Sequence, residues 1–201
     1  MPLQNRVTPF GKLIATPARG TLTGNRGGRL HDARRQLGTR RWTSKAWICC
    51  QIDFDNRHRM VWGDSYTEFF FLGEVTAFAA GHRSCFECRR KDAERFAALF
   101  SGHKKRACAA AMDKALHAKR LDGKAKRVHH SALNALPDGA MIAVDGAPFA
   151  VRGDHLLRWT FAGYAGTQGR PRGIEVDVLT PPAILAVLTR GYTPHWHPSA
   201  A

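Results

Sequence analysis

No uninterrupted apolar run of about 18 residues occurs in this 201-residue chain, and no apolar leader follows its first residues, so the sequence supports neither a membrane span nor secretion. Acidic residues are scarce, 16 against 31 lysines and arginines, which leaves a formal charge of +15. An excess of this size usually serves polyanions, nucleic acid before anionic membranes. Cysteine is present only as an odd, unevenly spaced set of five. That set does not read as a disulfide framework, and reduced thiols in a bacterial cytoplasm are expected. Internal repeats are absent as well, which argues against a solenoid.

What the chain does have is unevenly placed. Residues 1–135 hold 26 lysines and arginines against 11 acidic residues and carry all of the net charge, while residues 136–201 hold five of each. The asymmetry predicts a basic N-terminal region, 1–135, and a separate neutral one, 136–201. At this length a core can form without a disulfide or a metal, so a metal site would shape a region rather than make folding possible. Basic clusters recur at Arg34, Arg35, Arg40, Arg41 and Lys45, at Arg57 and Arg59, at Arg83, Arg89, Arg90 and Lys91, at Lys104, Lys105 and Arg106, and from 114 to 127.

The periodicities predict an α+β protein. Prolines and glycines in residues 1–30 imply extended segments joined by turns. Residues 47–54 alternate as a half-buried strand, with Cys50 on the face assigned to the core and Trp47 and Cys49 on the other. A second strand is expected at 67–72 and a short helix at 74–80, ended by Gly81 in a left-handed cap. Residues 90–120 read as a helical segment interrupted at Ser101-Gly102, with Phe96, Leu99, Phe100, Met112 and Leu116 as its buried stripe and Cys108 in the core. An exposed basic connector is expected at 119–130. Beyond it, Asp145-Gly146 and Gly153-Asp154 mark hairpins, residues 163–173 read as a loop, and a last helix starts at Thr180-Pro181-Pro182 with Thr180 as cap. The expected whole is a zinc-organised basic region with short strands and helices, then a small β-rich region ending in a helix.

The chemistry concentrates in Gly81-His82-Arg83-Ser84-Cys85-Phe86-Glu87-Cys88-Arg89-Arg90. Two thiolates two residues apart can bind one zinc ion from a tight turn. Structural zinc takes four ligands, so two more are needed. Neighbouring strand residues point to opposite faces, so one of Cys49 and Cys50 can reach the ion, and Cys50 is chosen. His31, in the glycine-rich 27–32 segment, is the choice for the fourth, with His82 and His58 in reserve.

The run Phe70-Phe71-Leu72, residues 74–81 and Arg83-Ser84-Cys85-Phe86-Glu87-Cys88-Arg89 resembles, over about residues 69–90, the second half of the zinc domain of the alkylation-response protein Ada, which repairs methylphosphotriesters. The resemblance implies a strand and an Ala-rich helix leading into a zinc site, and a module that binds DNA; in that family four cysteines hold zinc and one accepts a methyl group from a DNA phosphotriester. Ser84 stands where that family has proline, and Cys49-Cys50 replaces its upstream Cys-x-x-x-Cys. The whole chain, opening Met1-Pro2-Leu3-Gln4-Asn5-Arg6-Val7-Thr8-Pro9-Phe10-Gly11, also resembles a bacterial family of uncharacterised function, which implies no activity.

Other patterns carry less. No His-x-Glu or Cys-x-Glu precedes Cys85-x-x-Cys88, as a zinc deaminase would need. His129-His130 lies too near Asn134 for an HNH nuclease. Asp113, His117 and Arg120 share one helix face, where a carboxylate can orient an imidazole beside a phosphate-holding arginine, and they are the candidate catalytic set for an enzyme acting on nucleic acid or nucleotides. Trp42, among charges, is the aromatic expected to stack on a base, with Arg41, Arg83, Arg89 and Arg90 gripping phosphate, on DNA rather than RNA. The terminal His195-Trp196-His197 is either a metal pair or a frayed tail. A third possibility is an adaptor that docks a protein partner through residues 136–201 with zinc purely structural.

Overall fold

The computed structural model describes residues 1–56, 60–102 and 106–201. The protein is α+β, with two six-stranded sheets sharing a helical layer. The N-terminal part runs β1 (Arg6–Val7), β2 (Leu13–Ile14), β3 (Leu22–Asn25), β4 (Ile48–Gln51), β5 (Phe69–Phe71), α1 (Glu74–Ala79) and β6 (Arg83–Ser84). These strands form one mixed sheet in the order β2-β1-β5-β3-β4-β6. Helices α2 (Arg90–Phe100) and α3 (Ala109–Arg120) follow, then a small hairpin of β7 (Leu121–Asp122) and β8 (Ala125–Lys126).

The second sheet is antiparallel throughout, ordered β13-β12-β11-β10-β14-β9. Its strands are β9 (His129–Ala132), β10 (Met141–Val144), β11 (Ala147–Arg152), β12 (His155–Thr160), β13 (Gly163–Gly169) and β14 (Glu175–Val178), followed by α4 (Pro182–Thr189). Asp145 and Gly146 both take positive φ, 49° and 75°, as a two-residue hairpin turn requires. Because β9 pairs with β14, the second sheet takes its edge strand from residues 129–132, upstream of the charge boundary at 135.

Helix α1 holds the layers together. All six of its residues are buried, as befits a helix with neighbours on every side. Phe78 joins the cluster of Phe96, Leu99, Met112, Leu116, Ile184 and Tyr192 between α2, α3 and α4. Val75 and Ala79 meet Met141, Leu157 and Trp159 of the second sheet, and Ala77 meets Phe69 and Phe71 of the first. The Phe78, Phe96 and Tyr192 rings lie 5.5 to 5.7 Å apart in tilted and edge-on pairs, each worth about 1 kcal/mol beyond its burial.

Several expectations change. The connector at 119–130 is the end of α3, the β7–β8 hairpin and the start of β9, and its Lys126 Nζ donates to Ala79 O at 2.5 Å. Residues 163–169 form a strand, since backbone pairing to β12 needs no apolar alternation. Thr180 Oγ1 accepts from Met141 N at 2.8 Å and so ties α4 to β10 instead of capping the helix, whose N-cap is Pro181. The last helix before the hairpin starts at Ala109, and Cys108 is exposed at its N-cap rather than in the core. The tail is docked: His195 N donates to Glu74 Oε2 at 2.8 Å, Trp196 packs on Tyr164, and Ala200 is buried.

Candidate metal centre

Strand β4 alternates as expected, but its faces are exchanged. Trp47 and Cys49 are buried, 2% and 0% exposed, and Cys50 is the half-buried one. The largest side chain of the segment claims the core, and the opposite face is left for the turn that follows β6. That turn is anchored beside β4 by parallel pairing of Ile48 with Arg83 and Cys49 with Ser84, and by Cys85 N donating to Cys49 O at 3.0 Å.

Register thus brings Cys50, Cys85 and Cys88 together, with their sulfurs all within 4.8 Å of one another. A tetrahedral zinc thiolate site has sulfurs about 3.8 Å apart, so closing on an ion needs shifts of no more than about 1 Å. Backbone amides already point at the sulfurs: Gln51 N donates to Cys88 Sγ and Glu87 N to Cys85 Sγ, each at 3.4 Å. The thiols interact strongly. Hydrogen bonds from Cys50 and then Cys88 pull the Cys85 thiol well down against its burial, and bonding to Cys85 and then Cys88 pushes Cys50 up. Three soft donors with amide support suit zinc.

Cys49 has a different character. Burial pushes its thiol up to about 12, against the pull of Arg89, whose Nη1 donates to its sulfur at 3.3 Å. It belongs to the core. His31 is also outside the cluster: its Nδ1 pairs with Thr67 Oγ1 at 2.7 Å and its Nε2 with Gly63 O at 2.9 Å, and its ring stacks on Trp62 at 5.2 Å. Those partners hold the histidine in a loop scaffold, so it does not supply the fourth ligand. His82 is buried against Trp47 and Phe71, and His58 lies outside the described residues, as do Arg57, Arg59, Lys104 and Lys105. Among the described residues the cluster has three members.

The cysteines open onto a cavity of about 440 Å³ that is also lined by Thr23, Asn25, Tyr66 and Glu68. Glu68 is buried; its Oε2 accepts from Trp62 N at 2.9 Å, and its Oε1 has no partner among the described residues.

The proposed catalytic set is a structural network. Asp113 is bound through both oxygens by Arg83, Nε and Nη2 each at 2.8 Å, so it does not orient His117. Arg120 is fully buried, donating to Gly81 O, Lys45 O and His117 Nδ1. Burial, with the charges of Arg120 and Lys45, lowers the His117 pKa. The imidazole is therefore a neutral acceptor.

Of the proposed phosphate grips, Arg83 and Arg89 are internal. Arg89 Nη2 meets Glu74 Oε1 and Asp92 Oδ2, each at 2.7 Å. Arg90 and Arg41 are exposed. Trp42 is half-buried, edge-on to His117 at 5.3 Å and tilted against Trp47 at 6.1 Å.

Sequence reasoning missed Glu74. Fully buried, it accepts from Ser84 Oγ at 2.9 Å, Tyr192 Oη at 3.0 Å, Arg89 and the His195 amide, and so links α1, β6, α2 and the tail. Its only signal was an acid in the first turn of an apolar helix. No family model matches the chain, and no curated protein or solved structure is similar to it.

Proposed function

We propose that the protein binds zinc through Cys50, Cys85 and Cys88 and holds DNA, without strong sequence preference, on the basic face of residues 1–135, in the repair or modification of DNA. The observation that carries this reading is the convergence of three thiols from separate segments on one point. The positive charge of that region supports the DNA part, and Arg34, Arg35, Arg40, Arg41 and Lys45 are all exposed along one segment. No helix among the described residues is long and apolar enough to cross a membrane.

Duplex binding measured against salt tests it. Each phosphate neutralised releases condensed counterion, so the logarithm of affinity should fall against that of salt with a slope of about 0.9 per contact. Replacing Arg34, Arg35 and Arg40 by Ala should reduce that slope by about two to three. Undetectable duplex binding at low salt removes the DNA part of the reading.

A second reading, an enzyme acting on nucleic acid or nucleotides, is favoured by Glu68, which lines the cavity the cysteines share and whose Oε1 has no hydrogen-bond partner among the described residues. There Glu68 would hold or move a proton. Turnover lost in Glu68→Gln with zinc content unchanged would support it, and unchanged turnover would remove Glu68 from the chemistry.

A further inference from the structure

On another part of the first sheet lies a larger cavity, about 590 Å³, walled by chain segments far apart in sequence. The β1–β2 turn contributes Lys12, β3 leads to Arg26, residues 37–41 bring Arg41, α3 ends in Arg120, and the β7–β8 hairpin adds Lys124 and Lys126. Six cations line it, and no acidic residue does.

Two of these cations are deep and a third is half-buried, and none of the three is paired with a carboxylate among the described residues. Arg26, 2% exposed, donates through Nη2 to Gly11 O at 3.1 Å and through Nε toward His82 Nε2 at 3.5 Å. Arg120, 0% exposed, donates to two carbonyls and His117, and its Nε has no hydrogen-bond partner among the described residues. The acid nearest in the network, Asp113, is taken by Arg83. Lys126 is half-buried on Ala79 O. Arg26 and Arg120 both lie against the Trp47 ring, 4.2 and 3.9 Å from its centroid, which compensates part of their lost hydration.

Like charges buried together repel and are costly to desolvate, so a fold that gathers them around one volume with no carboxylate bonded to them among the described residues is preorganised for an anion from outside. The electrostatics point the same way: burial, then Arg41, brings Arg26 down to about 9, and burial, then Arg26, does the same to Arg120 against the pull of Asp113. The pocket also has an apolar wall, Phe10, Leu13, Leu37, Leu121 and Val128, and its volume suits a nucleotide-sized molecule.

We propose that this cavity is a binding site for a phosphate monoester of nucleotide size, its phosphate held by Arg26, Arg120 and Lys126 and admitted past Lys12 and Arg41. The monoester is either a free nucleotide or the terminal phosphate of a nucleic acid. The site is distinct from the thiol cluster and shares with the exposed 34–45 segment Arg41 at its mouth, while Arg26, Arg120 and Lys126 lie outside that segment.

Calorimetric titration of the full-length protein tests it with adenosine 5′-monophosphate, inorganic phosphate, adenosine, and one oligonucleotide made with and without a 5′-phosphate. The expected result is saturable binding of the monophosphate, none of adenosine, and affinity at least about tenfold lower in Lys126→Met and Lys12→Glu. Lys12 is exposed, so the second variant leaves the fold intact. A terminal-phosphate ligand shows as displacement of the monophosphate by the phosphorylated oligonucleotide alone; a free nucleotide shows as displacement by neither. Absence of monophosphate and phosphate binding at millimolar concentration, or binding undiminished in both variants, overturns the proposal. Duplex affinity that persists in Lys126→Met keeps the two readings separate.

Discussion

Cys49 and Cys50 differ by one position and by everything that decides a thiol's role. Cys49 packs under Arg89 in the core, while Cys50 faces the Cys85–Cys88 turn at the edge of a cavity. The sequence-based pairing of Cys50 with Cys85 and Cys88 agrees with the geometry, although for a partly mistaken reason: Cys50 reaches the turn because it does not face the core. The hydrophobic alternation was legible, but choosing its inner face needed the volume of Trp47, which neither spacing nor polarity encodes. Glu74 is the other residue on which the site depends. Glu74→Gln should cost about 3 kcal/mol in urea-monitored stability, because it strips the charge opposite a buried arginine and disturbs four hydrogen bonds. A change under about 1 kcal/mol would show that Asp92 alone compensates Arg89.

At the scale of elements, α1 and its exit are the decisive piece. Gly81 takes φ +84°, and a Cβ there would sit 2.7 Å from the Arg120 side chain. Gly81→Ala should therefore destabilise by about 2 kcal/mol, through backbone strain and displacement of Arg120 together. Thermal unfolding checks it, and Gly123→Ala, with open space around its Cβ at φ +57°, separates the strain from the collision. The glycine stop was readable because a left-handed residue after an apolar helix has few alternatives. Helix α2 was equally plain from its 3.6-residue stripe, and the start of strand β12 from the Gly153-Asp154 turn before it. Strand β13 was not, since Gly163, Gly166 and Gly169 write a loop and only pairing with β12 makes a strand. Thr180 has the composition of a cap, yet its hydroxyl is claimed by Met141 across the sheet.

Over the whole molecule, the positive charge visible in composition includes two unlike groups. One is exposed along residues 34–45, and the other is drawn inward around Trp47. Composition reports both as the same +15. The inward group gives a pH dependence. Burial, then Arg120 and Arg26, brings Lys126 from 10.5 down to about 7. A group depressed in the folded state contributes stability that is full above its unfolded pKa and lost as pH falls, here between about 10.5 and 7. Stability should rise with pH across that window, by at most about 1.4 kcal/mol per pH unit from this group, and Lys126→Met should flatten the rise. Equal slopes for both proteins in parallel melts would remove Lys126 as the source.

Cys50 and the Cys85–Cys88 turn bring three thiols from two segments to one place, where they could hold a metal ion. Elemental analysis of the purified protein, beside Cys50→Ser, Cys85→Ser and Cys49→Ser, tests this most directly. The prediction is one zinc per chain in the parent, retention in Cys49→Ser, and loss in both Cys50→Ser and Cys85→Ser, with apparent affinity falling as the pH is lowered because protons compete for the sulfurs. Zinc retained in Cys50→Ser, or a parent that takes up no metal under reducing conditions, would contradict it.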